Sequence, residues 1–487
     1  MASRPYVVCA RGAGVMVAMM AAAVGCAAAP APVLSRPAAG LVVTGHTGGT
    51  HYRTRIIGGF WYQTFGTTLL VIDPRSAEVI SSLPLAPVGA SGPATDMVAT
   101  GDRLFVLLRA TEVIALTTAD PAHPRIVDRV GAEELGVEPV SLSLVRDELY
   151  VSGAGGVVRW SDRARYLDGM ECRTVVECDL GLVACVGRRV YRLLDTAYVG
   201  SAGELYAWGD GAGPAAPLVF VRAGPDTTSV GLMTGAIREV STRLATVTVA
   251  GPVRRARIVD GRLWVVSDQR IAAYPISGER LLDPVVYEIA GVRDLAFIDG
   301  STGRAAVAGV FGRAILRFGL DGTVRTESEH REAAGLVRAH CDGRYVVASG
   351  PFGSWQYDTT GTGSIRPRML DGATTGPAVT ATEPAAAATL SGSASISADG
   401  RSVRLPGGEQ YTEPGSPTVT CLTAVEGELW VGHDSGITVL GMDGMVLGRL
   451  RLDGPVRFIF PLSGGGAAWV SEGGGFGSAR RTLPADE

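Results

Sequence analysis

Between Gly251 and Tyr274 short apolar runs alternate with tight polar turns. GPVRRARIV leads into Asp260-Gly261, then Leu263-Trp264-Val265-Val266, a polar turn, and a third run into Tyr274. Runs of this length bounded by Asp-Gly predict β-strands joined by hairpins. The same grammar recurs along the chain. Thr67–Ile72 precedes a turn at Asp73-Pro74 and a run at Glu78-Val79-Ile80, and Leu104–Leu108 precedes Val113–Leu116. Leu149-Tyr150-Val151, Tyr345-Val346-Val347 and Leu429-Trp430-Val431 open equivalent runs. The anchors Leu104, Leu149, Leu263, Tyr345 and Leu429 lie 45, 114, 82 and 84 positions apart, near one, three, two and two steps of about 40. The runs are continuous rather than alternating, as expected of strands buried on both faces. No amphipathic helix of useful length follows the first 25 residues, which argues against α/β and α-solenoid folds.

A period near 40 with four short strands per unit predicts an all-β fold, a single β-propeller of four-stranded antiparallel blades. Eight blades are expected, within a range of seven to ten, with two smaller propellers as the alternative. Residues 205–250 and 371–416 are irregular, the latter rich in Ala, Ser, Thr and Gly (PAAAATLSGSAS) and readable as a loop insertion. Val456–Phe460 and Ala467–Val470 read as the first two strands of a unit, and residues 67–82 as the last two. A blade shared between the termini would close the ring and remove its open sheet edge. The propeller is assigned to residues 41–475, followed by a flexible tail at 476–487. The repeats resemble the bacterial LVIVD and YVTN families, with Leu104–Val127 and its Asp120-Pro121…Pro124 turn the best match. That resemblance implies architecture and carries no catalytic motif.

Composition changes the picture at three points. Gly 66 suits many tight turns, and all 44 basic residues are Arg because the chain has neither Lys nor Asn. Schiff-base chemistry, Asn metal ligands and N-glycosylation are thereby excluded. Arg4 and Arg11 precede an apolar stretch, Gly12–Val24, too short to span a bilayer, so residues 1–25 read as an export signal. Ala23-Val24-Gly25-Cys26 resembles the bacterial lipobox, which implies a lipid on Cys26; cleavage after Ala27-Ala28-Ala29 is the alternative. Residues 26–40 form an Ala/Pro tether. Losing residues 1–25 removes two Arg and no acid, taking the net charge from −4 to −6, and gives no electrostatic case for nucleic acid.

Beyond the leader there are five cysteines. Cys178 and Cys185 flank Asp179-Leu180-Gly181, where a cross-hairpin disulfide could form. Cys341 and Cys421 read as small buried hydrophobes. The C-x5-C-x6-C spacing of Cys172, Cys178 and Cys185 is not that of a zinc site. His46 and His51 read as part of a flexible Gly-rich arm, and His433-Asp434 as a solvent-facing turn pair. The tryptophans, notably Trp160, Trp264, Trp355, Trp430 and Trp469, read as inter-blade core.

The most specific recurrence is Val-Arg at the start of the first strand: Val253-Arg254, Val292-Arg293, Val337-Arg338 and Val456-Arg457. Arg254, Arg293 and Arg457 each lie seven residues before a turn glycine (Gly261, Gly300, Gly464), while Arg338 lies five before Gly343. An arginine ring at the channel mouth would focus positive potential on a carboxylate, phosphate or sulfated ligand. Pairing with neighbouring acids is the competing account. No G-x-S-x-G, H-E-x-x-H or EF-hand loop occurs. Gluconolactonase-like propellers hold their metal partly through Asn, which this chain lacks. Quinoprotein-type repeats are suggested by Asp73–Val79, but Ile80-Ser81 stand where their docking Trp belongs.

The sequence therefore reads as an exported, lipid-anchored propeller acting as a binding scaffold in the cell envelope, periplasmic or at the cell surface. A monomer is expected, with a protein or polysaccharide partner, no cofactor and membrane contact only through the lipid. A hydrolase, lyase or lactonase using channel Arg and acids is the alternative.

Overall fold

The computed structural model describes residues 41–481 apart from 48, 50, 86–92, 179, 202–203, 207–217, 224–226, 234–242, 279, 299–302, 310–311, 332, 334–335, 343, 351–352, 361–367, 371–378, 381–385, 390–391, 416, 453 and 472–474. The regular structure of the described residues is almost wholly strand, with one short helix at Ala132–Leu135. Two-residue turns with left-handed backbone join many strands. Asp260 (φ 48°) and Gly261 (φ 64°) link Val259 to Arg262, as the Asp-Gly signal predicts.

The strands form eleven antiparallel sheets, nine of four strands and two of five. In chain order they are blade 1 (residues 51–84), blade 2 (94–131), blade 3 (138–166), blade 4 (172–201), blade 5 (204–250), blade 6 (253–287), blade 7 (292–331), blade 8 (338–380), blade 9 (386–412), blade 10 (419–451) and blade 11 (456–481 with 41–47). The all-β, four-stranded-blade architecture is that of a β-propeller. The count exceeds the eight expected; the irregular stretches at 205–250 and 371–416 contribute described strands to blades 5, 8 and 9.

Side chains on one strand face opposite neighbours. Leu263 and Val265 pack against Val219 and Leu232 of blade 5, whereas Trp264 and Val266 pack against Val292 and Leu295 of blade 7. This two-sided burial is why the second strands read as unbroken apolar runs. The same device joins blades 1 to 2, 2 to 3, 3 to 4 and 4 to 5. Blade 7 then packs on blade 1, where Ile298, Ala306 and Ile315 meet Trp61, Leu70, Ile72 and Ala77. Seven blades thus close a ring on themselves, with first strands adjacent at most of the junctions and therefore innermost. The other four form a second set, blade 9 on 10, 10 on 11, and 11 on 8.

The single eight-bladed ring is corrected to this arrangement. Residues 67–82 are not a half-unit: His51–Ile57 and Phe60–Phe65 supply the two strands before them. The shared blade does exist, as blade 11. Its outermost strand is Leu41–Thr47, paired with Phe476–Arg481, so residues 476–481 are a strand and not a tail. The ring of seven is inserted between that outer strand and blades 8–11.

Candidate functional site

The first strand of many blades carries a β-bulge near its start. Pairing skips one residue between Val253 and Arg255, Val292 and Asp294, and Val456 and Phe458. The residues skipped are Arg254, Arg293 and Arg457, so the recurrent Val-Arg marks a bulge, which re-aims a side chain and sharpens the local twist. Arg338 lies in regular register opposite Ser349 and is not a bulge residue. The four arginines do not share a ring. Arg254 and Arg293 belong to blades 6 and 7, Arg338 and Arg457 to blades 8 and 11. Arg254 makes a two-point contact with Asp268 (2.5 and 2.9 Å), the side chains being 41% and 40% exposed. Such a surface pair is worth at most about 1 kcal/mol.

The residue after the bulge matters more. Asp96 in blade 2 and Asp294 in blade 7 occupy that position and make the same bonds. One oxygen accepts the N–H of the next residue, Met97 or Leu295, at 3.0 Å. The other accepts an N–H from the first strand of the following blade, Leu142 or Thr54, again at 3.0 Å. In the Thr54 case the following blade is blade 1, so Asp294 pins the ring where it closes. Around that seam Arg313 donates to the Ala77 carbonyl (2.9 Å) and Ser328 to that of Ser76 (2.7 Å).

Arginines gather on both aspartates. The Arg53 guanidinium binds Asp96 at 3.0 Å. Arg257 reaches Asp294 at 3.4 Å, and Arg255 and Arg55 approach it to 3.9 Å. Asp294 is fully buried, whereas these four arginine side chains remain 13–22% exposed. Burial pushes the Asp294 carboxyl upward, but Arg257, Arg255, Arg53 and the Thr54 N–H outweigh it and hold the group below its ordinary range. Blades 6, 7, 1 and 2 therefore present four guanidiniums on their inner strands, backed by two carboxylates. The available signal was an acidic residue inside an otherwise apolar first-strand run, Asp96-Met97-Val98 and Asp294-Leu295-Ala296.

A second polar cluster joins blades 9 and 10. Glu413 accepts from Tyr411 (2.6 Å), Thr438 (2.8 Å) and Arg449 (2.9 Å), and His433 contacts Thr438 (3.3 Å) and Ser435 (3.1 Å). His433 is buried, contrary to the solvent-facing expectation, because it ends the second strand rather than entering the turn. Asp434 beside it stays near the surface and accepts the Thr418 N–H. Burial holds His433 below its ordinary pKa and helps push Tyr411 up to about 12. Glu413 is held below its own range despite burial, by its bonds to Tyr411, Thr438 and Arg449.

No disulfide joins Cys178 to Cys185: all five described cysteines are thiols. Cys178 stands opposite Gly181, which leaves Cys185 four positions further along the partner strand, roughly 13 Å away and beyond bridging reach. Burial pushes the Cys172 thiol up to about 11 and that of Cys421 up to about 12. Trp264, Trp355, Trp430 and Trp469 are core residues. Among the described residues no three His, Cys, Asp or Glu side chains gather to hold a metal. Cys26 and the side chains of His46 and His51 lie outside the described residues.

No protein-family model and no curated protein matches the chain. Several solved structures are similar to it. PorZ, an essential surface component of the type-IX secretion system of Porphyromonas gingivalis, matches over 88% of this chain at 13% identity and a TM-score of 0.44; the match spans 57% of PorZ. A chain of the mitotic checkpoint complex matches over 61% of this chain and 97% of its own length, at 13% identity and a TM-score of 0.42. The WD40 repeats of RRP9 match over 55% and 88% respectively, at 14% identity and a TM-score of 0.39.

Proposed function

We propose that this chain is an exported binding scaffold of the cell envelope, held at a membrane by lipid on Cys26. The observation that supports the reading is the position of the first described strand. Leu41–Thr47 is the outermost strand of blade 11, away from the inner strands. An Ala/Pro tether there would hold the blades clear of a bilayer and leave their faces open to a protein or polysaccharide. Membrane fractionation tests the anchor. The parent pellets with membranes, and Cys26→Ala is released to the soluble exported fraction; an equal distribution of the two contradicts it. Cross-linking in envelope extract then identifies the partner.

A further inference from the structure

We propose that His433 fastens the two connections of blade 10 while it is neutral and releases them when it takes up a proton. The inference goes beyond the scaffold reading and does not depend on it. His433 ends the second strand of blade 10, and the Asp434-Ser435 turn that follows holds chain on both sides of the blade. Thr418, on the way in from blade 9, donates its N–H to the Asp434 carboxylate (3.0 Å) and accepts the Asp434 N–H (3.1 Å). Leu452, on the way out to blade 11, donates its N–H to the Ser435 carbonyl (3.0 Å).

The imidazole holds this turn in one protonation state. A backbone N–H can only donate, so the Ser435 N–H at 3.3 Å makes Nδ1 the acceptor and puts the ring hydrogen on Nε2. Nε2 then donates to the Thr438 hydroxyl (3.3 Å), whose own hydrogen goes to Glu413 (2.8 Å), just past the outer strand of blade 9. A second proton on the ring must sit on Nδ1, where it faces the Ser435 N–H, donor against donor. The Ser435 hydroxyl, 3.1 Å away, can turn to accept it, but the N–H then loses its acceptor and the turn its hold.

Three charged groups face the ring: Glu413 from blade 9, Asp434 in the turn and Arg449 on the outer strand of blade 10. Burial, above all, and Arg449 disfavour the charged ring, whereas Glu413 and Asp434 favour it. Glu413 is already engaged by Tyr411 (2.6 Å), Thr438 and Arg449 (2.9 Å), which limits its answer to a new cation. Once the turn opens and His433 meets water, the ring takes up its proton near pH 6.5. Opening therefore becomes more favourable as pH falls, by up to about tenfold per unit below that value.

Hydrogen–deuterium exchange of the full chain at pH 7.5 and pH 5, corrected for intrinsic exchange rates, tests the fastener. Opening of residues 413–420 and 433–438 should rise by up to about thirtyfold at the lower pH, while residues 104–116 of blade 2 stay unchanged. In His433→Gln the pH dependence of both segments should disappear. No rise in the parent, a rise shared by blade 2, or an equal rise in His433→Gln overturns the proposal. If that variant does not fold, the pH profile of the parent decides. Opening should begin to rise near pH 6.5, and a rise that begins only below about pH 5, where carboxylates titrate, overturns the proposal.

Discussion

Asp294 and Asp268 are both aspartates beside arginine, yet their surroundings give them opposite weights. Asp294 is fully buried and holds the Thr54 N–H, so Asp294→Ala leaves a buried donor and several guanidiniums without their acceptor. A loss of about 3–5 kcal/mol is expected on urea unfolding. Asp268→Ala removes a half-exposed partner of Arg254, and the loss should stay within about 1 kcal/mol. The pH dependence follows from the depressed Asp294 pKa. A carboxyl whose folded value lies below its unfolded value stabilises the fold above that unfolded value, near pH 4, and ceases to do so as pH falls through the folded one. The gap between parent and Asp294→Ala should therefore be full at pH 6 and narrow below about pH 4. A gap independent of pH would mean that the charge of Asp294 does not carry the effect.

At the scale of strands and turns, the cluster around Glu413 joins blades 9 and 10 through side chains that no sequence period marks. His433 is held below its ordinary pKa by burial, so the folded state resists a proton that the unfolded state takes up near pH 6.5. Its contribution is complete above that value and declines as pH falls below it. Urea midpoints of parent and His433→Gln should accordingly converge between pH 7.5 and pH 5, and a constant difference contradicts the assignment.

Elements set by local rules were legible in the chain. The Asp260-Gly261 hairpin follows from backbone preference, and the anchors Leu104, Leu149, Leu263, Tyr345 and Leu429 all fall in second strands because burial on both faces makes those runs continuous. Blades 5 and 9 read as irregular because their strands are built partly from Gly, Ala, Ser and Thr, as in Ala386–Thr389 and Gly392–Ile396. The recurrent Val-Arg is a legible motif, but it marks a bulge. The chemistry lies one residue later, at Arg255 and Asp294, where the side chain meets another blade. Asp294 also bonds Thr54, 240 positions away, and such a meeting leaves no trace in spacing.

At the scale of the whole molecule, two devices deal with the open edges of the blades. Blade 11 is completed by a strand from the other end of the chain, Leu41–Thr47 on Phe476–Arg481. Among the described residues the ring of seven exchanges no strand where it closes. Blade 7 meets blade 1 through Ile298, Ala306 and Ile315 on Trp61 and Ile72, with Asp294 bonded to Thr54 on the inner strands. Such a seam is only as strong as its side chains, which makes Asp294 a residue of the whole ring as well as of one strand. Hydrogen–deuterium exchange on the full chain carrying Asp294→Ala is the most direct measurement of that claim. Peptides covering residues 51–57 and 292–297 should lose protection together, while those covering 419–433 and 456–471 keep theirs. Lost protection confined to residues 292–297, or spread equally through blades 10 and 11, would contradict a seven-bladed ring closed between blades 7 and 1.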